Sequence, residues 1–523
     1  MNRSYRSRRT FLSTTAKAAG GFALAWPAAA RSAAFLRQDA SRPGIPYGVA
    51  SGDVTRERAI IWSRTDRPAR MLVEWSTTES FQNVRRVRGP ATDESAGYTA
   101  RVDVPGLPRG QRIFYRVRFE DLRDARNVSV PADGSFLTAP ASPRDVTLAW
   151  SADTVGQGWG INKEFGGLRM YDTIRRARPD MFIHCGDTIY ADSPVPPEIR
   201  LPDGRVWRNV TTPEKSKVAE TVDEFRGNYV YNLLDDNVRR FNAELPQFWL
   251  WDDHEVKNNW FPGMSLEADD RYVEKDSRVL AANARRAFLE YSPMRRAPGP
   301  LPPIYRACSY GPLVDIFALD LRTYRAPNSA NRQPAPGADT VHAGAQQIVW
   351  LERALQSSTA LWKVIASDLP IGLVVRDGET AFEAIANADG GPPLGRELEI
   401  ADVLRFIRRQ RIRNVVWVTG DVHYAAAHHY DPERARFKDF DPFWEFVAGP
   451  LHAGTFGPAA LDDTFGPELR FSSVPPGMAP NRPPSDGLQF FGLIRISGQS
   501  RAMTVELRNL AGEVLYTVEL DPK

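Results

Sequence analysis

The chain has 523 residues, of which 42% are hydrophobic and 25% are charged. These values suit a folded protein of two or three domains and exclude a small disulfide-stabilised protein, a disordered chain and a coiled coil. The formal charge is +3, but residues 1–30 hold five basic side chains and no acid, so the remainder has two more acids than bases. Charge therefore gives no support for a specific nucleic-acid partner.

The first residues have the order of a secretion signal. Arg8 and Arg9, followed by Phe11 and Leu12, precede an apolar run rich in Ala and Gly that ends in small residues near position 30. This order is typical of a twin-arginine export signal, and the run is shorter than the roughly 20 residues needed to span a bilayer. We expect residues 1–34 to be a signal peptide read by the twin-arginine translocase. The mature protein would be periplasmic or extracellular and would have no stable membrane span.

The chain has two cysteines, Cys185 and Cys308, which lie far apart in the sequence. Their number and spacing exclude a disulfide framework and a cysteine zinc site. The two cysteines could form one disulfide or remain free thiols, and the sequence favours two buried free thiols.

A region of short alternating segments follows a Pro- and Gly-rich stretch at 43–48. Turn-forming residues separate these segments, which predicts a small antiparallel β-sandwich of the fibronectin III or immunoglobulin kind over residues 43–140. It contains no evident catalytic residue. The predicted strands are Ala59–Ser63, Met71–Trp75, Tyr98–Val104 and Ile113–Phe119.

From residue 144 to 520 the pattern changes to strands that alternate with helices, which predicts an α/β layered fold. The predicted strands are Asp145–Trp150, Asp180–Cys185, Phe248–Trp251, Trp362–Ala366 and Asn414–Val418, with a hairpin of Tyr305–Tyr310 and Leu313–Leu319. The predicted helices are Leu168–Ala177, Phe225–Asn242, Arg278–Tyr291, Ala345–Leu355 and Glu397–Gln410. Residues 192–216 and 325–343 are expected to be irregular loops.

Acidic or histidine residues follow each of five predicted strands of this second domain. Ligands of open α/β sheets bind beyond the carboxyl ends of the strands, so these residues should converge. One such residue alone is more often a turn or a cap, but five converging groups of anions repel unless cations neutralise them. The sequence therefore predicts bound metal. The groups are Asp153; Asp187 with Tyr190; Asp252, Asp253, His254 and Glu255; Asp368; and Asp421 with His423.

The order of these motifs resembles that of the calcineurin-like metallophosphoesterases, which include the purple acid phosphatases. The run from Trp251 to Val256, the sandwich in front of it and the leader are similar to the PhoD family of alkaline phosphatases. That resemblance implies a metallophosphoesterase β-sandwich flanked by helices. It also implies a metal-dependent phosphoric-ester hydrolase that releases phosphate from phosphomonoesters, and from diesters as well, by attack of metal-activated water.

The resemblance further implies the role of each site residue. Asp153, Asp187, Tyr190 and His423 would hold a first cation, with Asp187 bridging to a second that Asp253, Asp368 and Asp421 complete. The family binds Fe³⁺ with Ca²⁺; a phenolate suits Fe³⁺, and the oxygen ligands of the second site also suit Mg²⁺ or Mn²⁺. His254 would contact the substrate phosphate and protonate the leaving oxygen, with structural support of Asp253 as the alternative.

Two other functions are compatible with the same motifs. A phosphodiesterase or secreted phospholipase D would use the same metal ligands and differ only in the surrounding loops. A secreted protein that binds phosphate or metal without catalysis is the other, but it would have no need of a leaving-group acid such as His254.

Overall fold

The computed structural model describes residues 42–299 and 301–523. The predicted signal peptide, residues 1–34, lies outside the described residues. From Ser41 to Lys523 the chain forms one compact unit. Within the part described, no helix combines the length and apolar character that crossing a membrane requires.

The described residues from 42 to 137 are built mainly of β-strands. Strands β3 and β6 alternate buried and half-buried residues, because one face of their sheet packs on a hydrophobic core. The sheet is antiparallel, in the order β4-β3-β6-β7, and it shares its core with β1, β2 and β5. The strands are β1 (Val49–Gly52), β2 (Ala59–Arg64), β3 (Ala69–Ser76), β4 (Arg85–Thr92), β5 (Thr99–Val104), β6 (Arg112–Asp121) and β7 (Ala132–Leu137).

The remaining strands and helices alternate as far as residue 419 and are mostly strands thereafter. The strands are β8 (Val146–Ser151), β9 (Met181–Cys185), β10 (Glu198–Arg200), β11 (Val206–Arg208), β12 (Gln247–Leu250), β13 (Arg306–Ser309), β14 (Val314–Ala318), β15 (Trp362–Ala366), β16 (Arg376–Asp377), β17 (Ala381–Phe382), β18 (Val415–Thr419), β19 (Ala426–Tyr430), β20 (Phe443–Val447), β21 (Pro467–Ser472), β22 (Phe490–Ile496), β23 (Met503–Asn509) and β24 (Val514–Leu520). The helices are α1 (Arg169–Ala177), α2 (Val222–Asn232), α3 (Asp236–Glu244), α4 (Ser277–Tyr291), α5 (Ala345–Ser357) and α6 (Glu397–Arg409).

Two large mixed sheets face each other across the main core. The nine-stranded sheet has the order β24-β23-β22-β8-β9-β12-β1-β2-β5, and the seven-stranded sheet has the order β13-β14-β15-β18-β20-β19-β21. Trp150 of one sheet meets Phe446 of the other with ring centroids 6.5 Å apart. Helices α1–α4 cover the outer face of the nine-stranded sheet, and α5 and α6 cover that of the seven-stranded sheet. This confirms the predicted β-sandwich flanked by helices with an N-terminal β region.

The N-terminal strands are continuous with the nine-stranded sheet. Strand β1 pairs in parallel with β12, with Gly52 opposite Gln247, and β2 and β5 extend the sheet beyond β1. The strands of segments 43–140 and 144–520 are therefore joined in one sheet. The division of the chain into two domains at these bounds stays a prediction.

The structure corrects two expectations about single elements. The predicted helix Phe225–Asn242 is two helices, α2 and α3, because Asp235 leaves the helical path and caps α3 by accepting hydrogen bonds from two of its N–H groups. The segment 192–216 is not wholly irregular, since β10 and β11 form a short hairpin within it. Cys185 and Cys308 are buried free thiols, as the sequence favoured.

Candidate metal centre

The five motifs predicted to converge do so where the two large sheets meet. Strands β8, β9 and β12 are parallel neighbours, so Asp153, Asp187 and Asp253 emerge side by side. Strands β15 and β18 are parallel neighbours in the facing sheet and carry Asp368 and Asp421. We call Asp153, Asp187, Asp252, Asp253, Asp368 and Asp421 the acidic centre.

The backbone turns sharply at three of these strand ends, after β8, β9 and β18. Asp153, Asp187, Asp421 and His423 have positive φ angles of 68°, 53°, 67° and 61°. Non-glycine residues seldom adopt this left-handed conformation, and those that do cluster at functional sites. The chain thus accepts a local conformational cost to bring these side chains together.

One group of ligand atoms comes from Asp153, Asp187 and His423, and these atoms lie within 4.8 Å of one another. The Oη of Tyr190 lies 2.8 Å from Nε2 of His423. Nδ1 of His423 is 2.5 Å from the carbonyl oxygen of Gly454, to which it donates. Nε2 therefore keeps a lone pair directed at the group, and burial lowers the pKa of His423 to about 4, which keeps the ring neutral.

Two further groups continue the same cluster. Ligand atoms of Asp187, Asp253 and His254 lie within 4.8 Å of one another, and so do those of Asp252, Asp253 and Asp421. Asp187 and Asp253 each belong to two groups. A carboxylate that lies between two neighbouring cation positions is expected to belong to two such groups.

Several carboxylate oxygens of the acidic centre are buried and, within the described residues, lack a hydrogen-bond partner. They are both oxygens of Asp153, Oδ2 of Asp252, Oδ1 of Asp253 and Oδ1 of Asp368. Burial, reinforced by the neighbouring carboxylates, raises the pKa of Asp153 and of Asp187 well above the ordinary range. Buried polar groups are almost always partnered, so these oxygens fit bound cations.

Arg322 is a member of the site that the sequence reading missed. Its guanidinium is fully buried and lies 2.6 Å from Asp252, 2.9 Å from Asp368 and 3.2 Å from Asp421. It also binds Glu383. One fixed positive charge thus offsets part of the repulsion among these carboxylates, and Asp368 keeps its other oxygen unpartnered within the described chain.

A sequence signal for Arg322 did exist. Strand β14 lies beside β15 in parallel, so its carboxyl end meets the same edge of the sheet. Arg322 follows β14 by four residues, as the acids follow the other strands. Arg322 is a basic residue, so a pattern of acids and histidines at strand ends does not include it.

His254 lies beside the acidic centre and is oriented by Asp192, a second residue the sequence reading missed. Nδ1 of His254 is 2.7 Å from Oδ1 of Asp192, and its ring packs on that of Tyr190 with centroids 4.1 Å apart. Although burial opposes it, the His254 imidazole lowers the pKa of Asp192 to about 2. The pair leaves Nε2 of His254 as the ring nitrogen available to a ligand.

Glu255 ties together two of the motif loops. Its Oε1 accepts hydrogen bonds from the backbone N–H and the hydroxyl of Thr188, both at 2.6 Å. Its Oε2 accepts from the N–H of Asp252 at 2.7 Å and of Asp187 at 3.2 Å. The sequence identified Glu255 as part of a motif, and the structure gives it this bracing role.

A cavity of about 500 Å³ opens onto the acidic centre. Asp187, Asp253, His254, Asp421 and His423 form its floor, and hydrophobic side chains contribute to its walls. The size suits a small organic ester. The hydrophobic lining residues are Val374, Val375, Val422, Tyr424, Phe456 and Ala459.

Comparison with known proteins was made on sequence and on fold. The sequence profile of the PhoD-like phosphatases matches residues 148–507, and that of the PhoD-like phosphatase N-terminal domain matches residues 28–140. Alkaline phosphatase D of Bacillus subtilis (strain 168) is 28% identical over 490 residues, which cover 87% of this chain and 78% of that protein.

Two solved structures share the fold. The structure of PhoD matches with a TM-score of 0.67 and 21% identity, over 91% of this chain and 89% of that one. A purple acid phosphatase from yellow lupin (Lupinus luteus) seeds matches with a TM-score of 0.55 and 12% identity, over 92% of this chain and 74% of that one.

Proposed function

Because the chain belongs to the PhoD-like phosphatase family and is a hydrolase of phosphoric esters, we propose that it is an exported, metal-dependent alkaline phosphatase. It releases phosphate from phosphomonoesters and also hydrolyses phosphodiesters. One observation carries the metal dependence: buried carboxylate oxygens that lack hydrogen-bond partners in the described part of the chain meet where five strands end. Buried carboxylates gathered this closely repel one another unless cations neutralise them.

The chemistry of the donors supports the proposed cations. Tyr190 offers a phenolate beside an imidazole and carboxylates, a set that suits Fe³⁺, whereas the second position offers carboxylates and suits Ca²⁺, Mg²⁺ or Mn²⁺. The first set is Asp153, Asp187, Tyr190 and His423, and the second is Asp187, Asp253, Asp368 and Asp421. Cations at these positions would supply charge for the phosphate oxygens and lower the pKa of a water at the site.

His254 serves the leaving group. With Nδ1 held by Asp192, Nε2 carries the proton that the departing oxygen takes. The Asp192 carboxylate stabilises the protonated ring before transfer, and packing against Tyr190 fixes the ring plane. The chain thus holds an acid on the cavity floor beside the ligands.

Export and domain organisation complete the proposal. Residues 1–34 direct the chain to the twin-arginine translocase, which delivers it to the periplasm or the outside. Residues 43–140 form the N-terminal domain and 144–520 the catalytic one, a division supported by the end of one family profile at 140 and the start of the next at 148.

The test is metal analysis combined with turnover. The purified mature protein should contain iron and calcium, show a visible charge-transfer band that Tyr190→Phe removes, and hydrolyse 4-nitrophenyl phosphate and bis(4-nitrophenyl) phosphate. Asp187→Asn should deplete both metals because Asp187 bridges them. Asp180→Asn is the matched control, since Asp180 lies directly before β9, at the end of that strand away from Asp187.

Each alternative has its own outcome. Stoichiometric zinc without iron contradicts the assignment of the first cation. Cleavage of diesters or phospholipids that is much faster than that of monoesters makes the protein a phosphodiesterase or a phospholipase D. Phosphate binding without turnover leaves a non-catalytic binding protein.

A further inference from the structure

A short hairpin, β16–β17, lies at the rim of the cavity and is tied to the acidic centre. Both oxygens of Asp377 are used: Oδ1 accepts from Nδ2 of Asn259 and Oδ2 from Nδ2 of Asn328, each at 2.8 Å. The backbone N–H of Asn259 in turn donates to Asp253. The hairpin is therefore held in place by a chain of hydrogen bonds that ends on a proposed metal ligand.

This hairpin presents Arg376 to the cavity. Histidines aside, Arg376 is the basic side chain among the described residues that line it. Its guanidinium carbon lies 4.9 Å from the ring centroid of Phe382, and Nη1 donates to the Glu379 carbonyl at a long 3.4 Å. Across residues 42–299 and 301–523 no carboxylate forms an ion pair with Arg376. Its charge therefore faces solvent and any ligand that enters the cavity.

The other charges of the cavity already have partners. Glu383 is bound by Arg322, and under the proposed function cations take up Asp187, Asp253 and Asp421 together with the scissile phosphate. Arg376 is exposed and lines the same cavity as hydrophobic side chains such as Val375 and Tyr424, against which a substrate's organic part could pack. A positive charge in that place can bind a second anionic group of the substrate.

Resting on the proposed function, we propose that Arg376 is a specificity residue that binds an anionic group of the substrate beyond the scissile phosphate. The preferred substrates are then phosphoesters whose alcohol part carries a carboxylate or a second phosphoryl group. Because the pairing is solvent-facing, its contribution falls as ionic strength rises.

The test uses two esters that differ in one charge, phenyl phosphate and 4-carboxyphenyl phosphate. Arg376→Gln should lower kcat/KM for the carboxylated ester about 5-fold, through KM, and leave phenyl phosphate within about 2-fold. Arg376→Lys should restore part of the difference. Arg353→Gln, which removes an exposed arginine of α5 away from the cavity lining, should change neither ester.

The outcomes separate this inference from the proposed function. An equal loss on both esters, or no loss on the carboxylated one, overturns the role of Arg376. If the wild type hydrolyses neither ester, the proposed function fails, and calorimetric binding of phenylphosphonate and 4-carboxyphenylphosphonate still decides: only weaker binding of the carboxylated compound by Arg376→Gln supports the inference.

Discussion

At the scale of the residue, His254 shows how chemistry and metal binding are divided in the site. Asp192 forms a hydrogen bond with Nδ1 of His254, and Asp253, the residue before His254, is the proposed metal ligand. The proposed ligand sets do not include His254, so under that proposal its ring can be removed without removing a ligand, and mutation can separate its role from metal binding.

We expect His254→Ala to keep both metals and to lose activity by about 10²–10⁴-fold, the usual contribution of a general acid. The loss should be largest for alkyl phosphates, whose leaving oxygen needs a proton, and smaller for nitrophenyl esters. Steady-state rates across a leaving-group series, with elemental analysis of each preparation, measure this. Asp192→Asn should show the same bias with a smaller loss, and an equal loss on every ester would instead assign His254 to phosphate binding.

The buried side chain of Glu397, which is outside the proposed ligand sets, predicts a pH dependence of stability. Burial raises its pKa from 4.5 to about 8, against the opposing hydrogen bonds from Leu394 and Asn387. The folded state thus favours the protonated form, so this stabilisation is complete below pH 4.5 and is lost as pH rises through about 8. Glu397→Gln keeps the neutral form at every pH.

The free energy of unfolding of Glu397→Gln relative to wild type should therefore rise between pH 5 and 8.5, by an amount on the order of 4 kcal/mol. Thermal melts at fixed ionic strength measure it. Glu433→Gln, at a carboxylate whose side chain is 86% exposed, is the control. A constant difference over this range would show that Glu397 does not titrate with folding.

The sequence was sufficient for the residues at strand ends and insufficient for those that support them. Apolar strands followed by Asp or His are visible in one dimension, and the structure brings these residues together. Arg322 and Asp192 act through contacts with residues 70 and 62 positions away in the chain. The position of Arg322 after β14 could be recognised in the sequence, but these pairings depend on how sheets and loops pack.

At the scale of the element, strands were predictable where both faces are buried. The apolar run Trp362–Ala366 was predicted with the bounds it has. Strand β4 begins with two arginines and is largely exposed, and β24 at the sheet edge buries none of its residues fully. The lack of an apolar run explains why β4 escaped prediction. Strand β22 is apolar and mostly buried, and it escaped prediction as well.

Strand β22 supplies a prediction about packing between the sheets. A Cβ added at Gly492 would lie 2.0 Å from the indole of Trp150, which is fully buried. Gly492→Ala should therefore destabilise the protein by about 1–3 kcal/mol, since the indole has no space to move into. Denaturant unfolding measures it. Gly337→Ala, exposed and close only to the end of the Asp339 side chain, should be near neutral, and equal effects would contradict this packing.

At the scale of the whole molecule, the shared sheet joins the N-terminal strands to the catalytic part. Strand β1 covers the edge of β12, the strand that leads to Asp253. Without residues 1–140 this edge would be open and part of the main core would be exposed.

We therefore expect the protein to unfold in one calorimetric transition and the fragment 144–523 to be insoluble or to lack a cooperative transition. Calorimetry of the full chain and solubility of the fragment test this. Two transitions, of which one reproduces that of an isolated 43–140 fragment, would show independent domains.

The position of the acidic centre between the sheets also orders the steps by which the protein matures. One sheet contributes Asp153, Asp187 and Asp253, and the other, built from residues 306–472, contributes Asp368, Asp421 and His423. A nascent chain with only one sheet formed holds only part of each proposed ligand set, so under the proposed function we expect cation capture to wait until the two sheets dock. Metal uptake then works as a checkpoint: during refolding, its rate reports the docking of the sheets and lags behind the appearance of secondary structure.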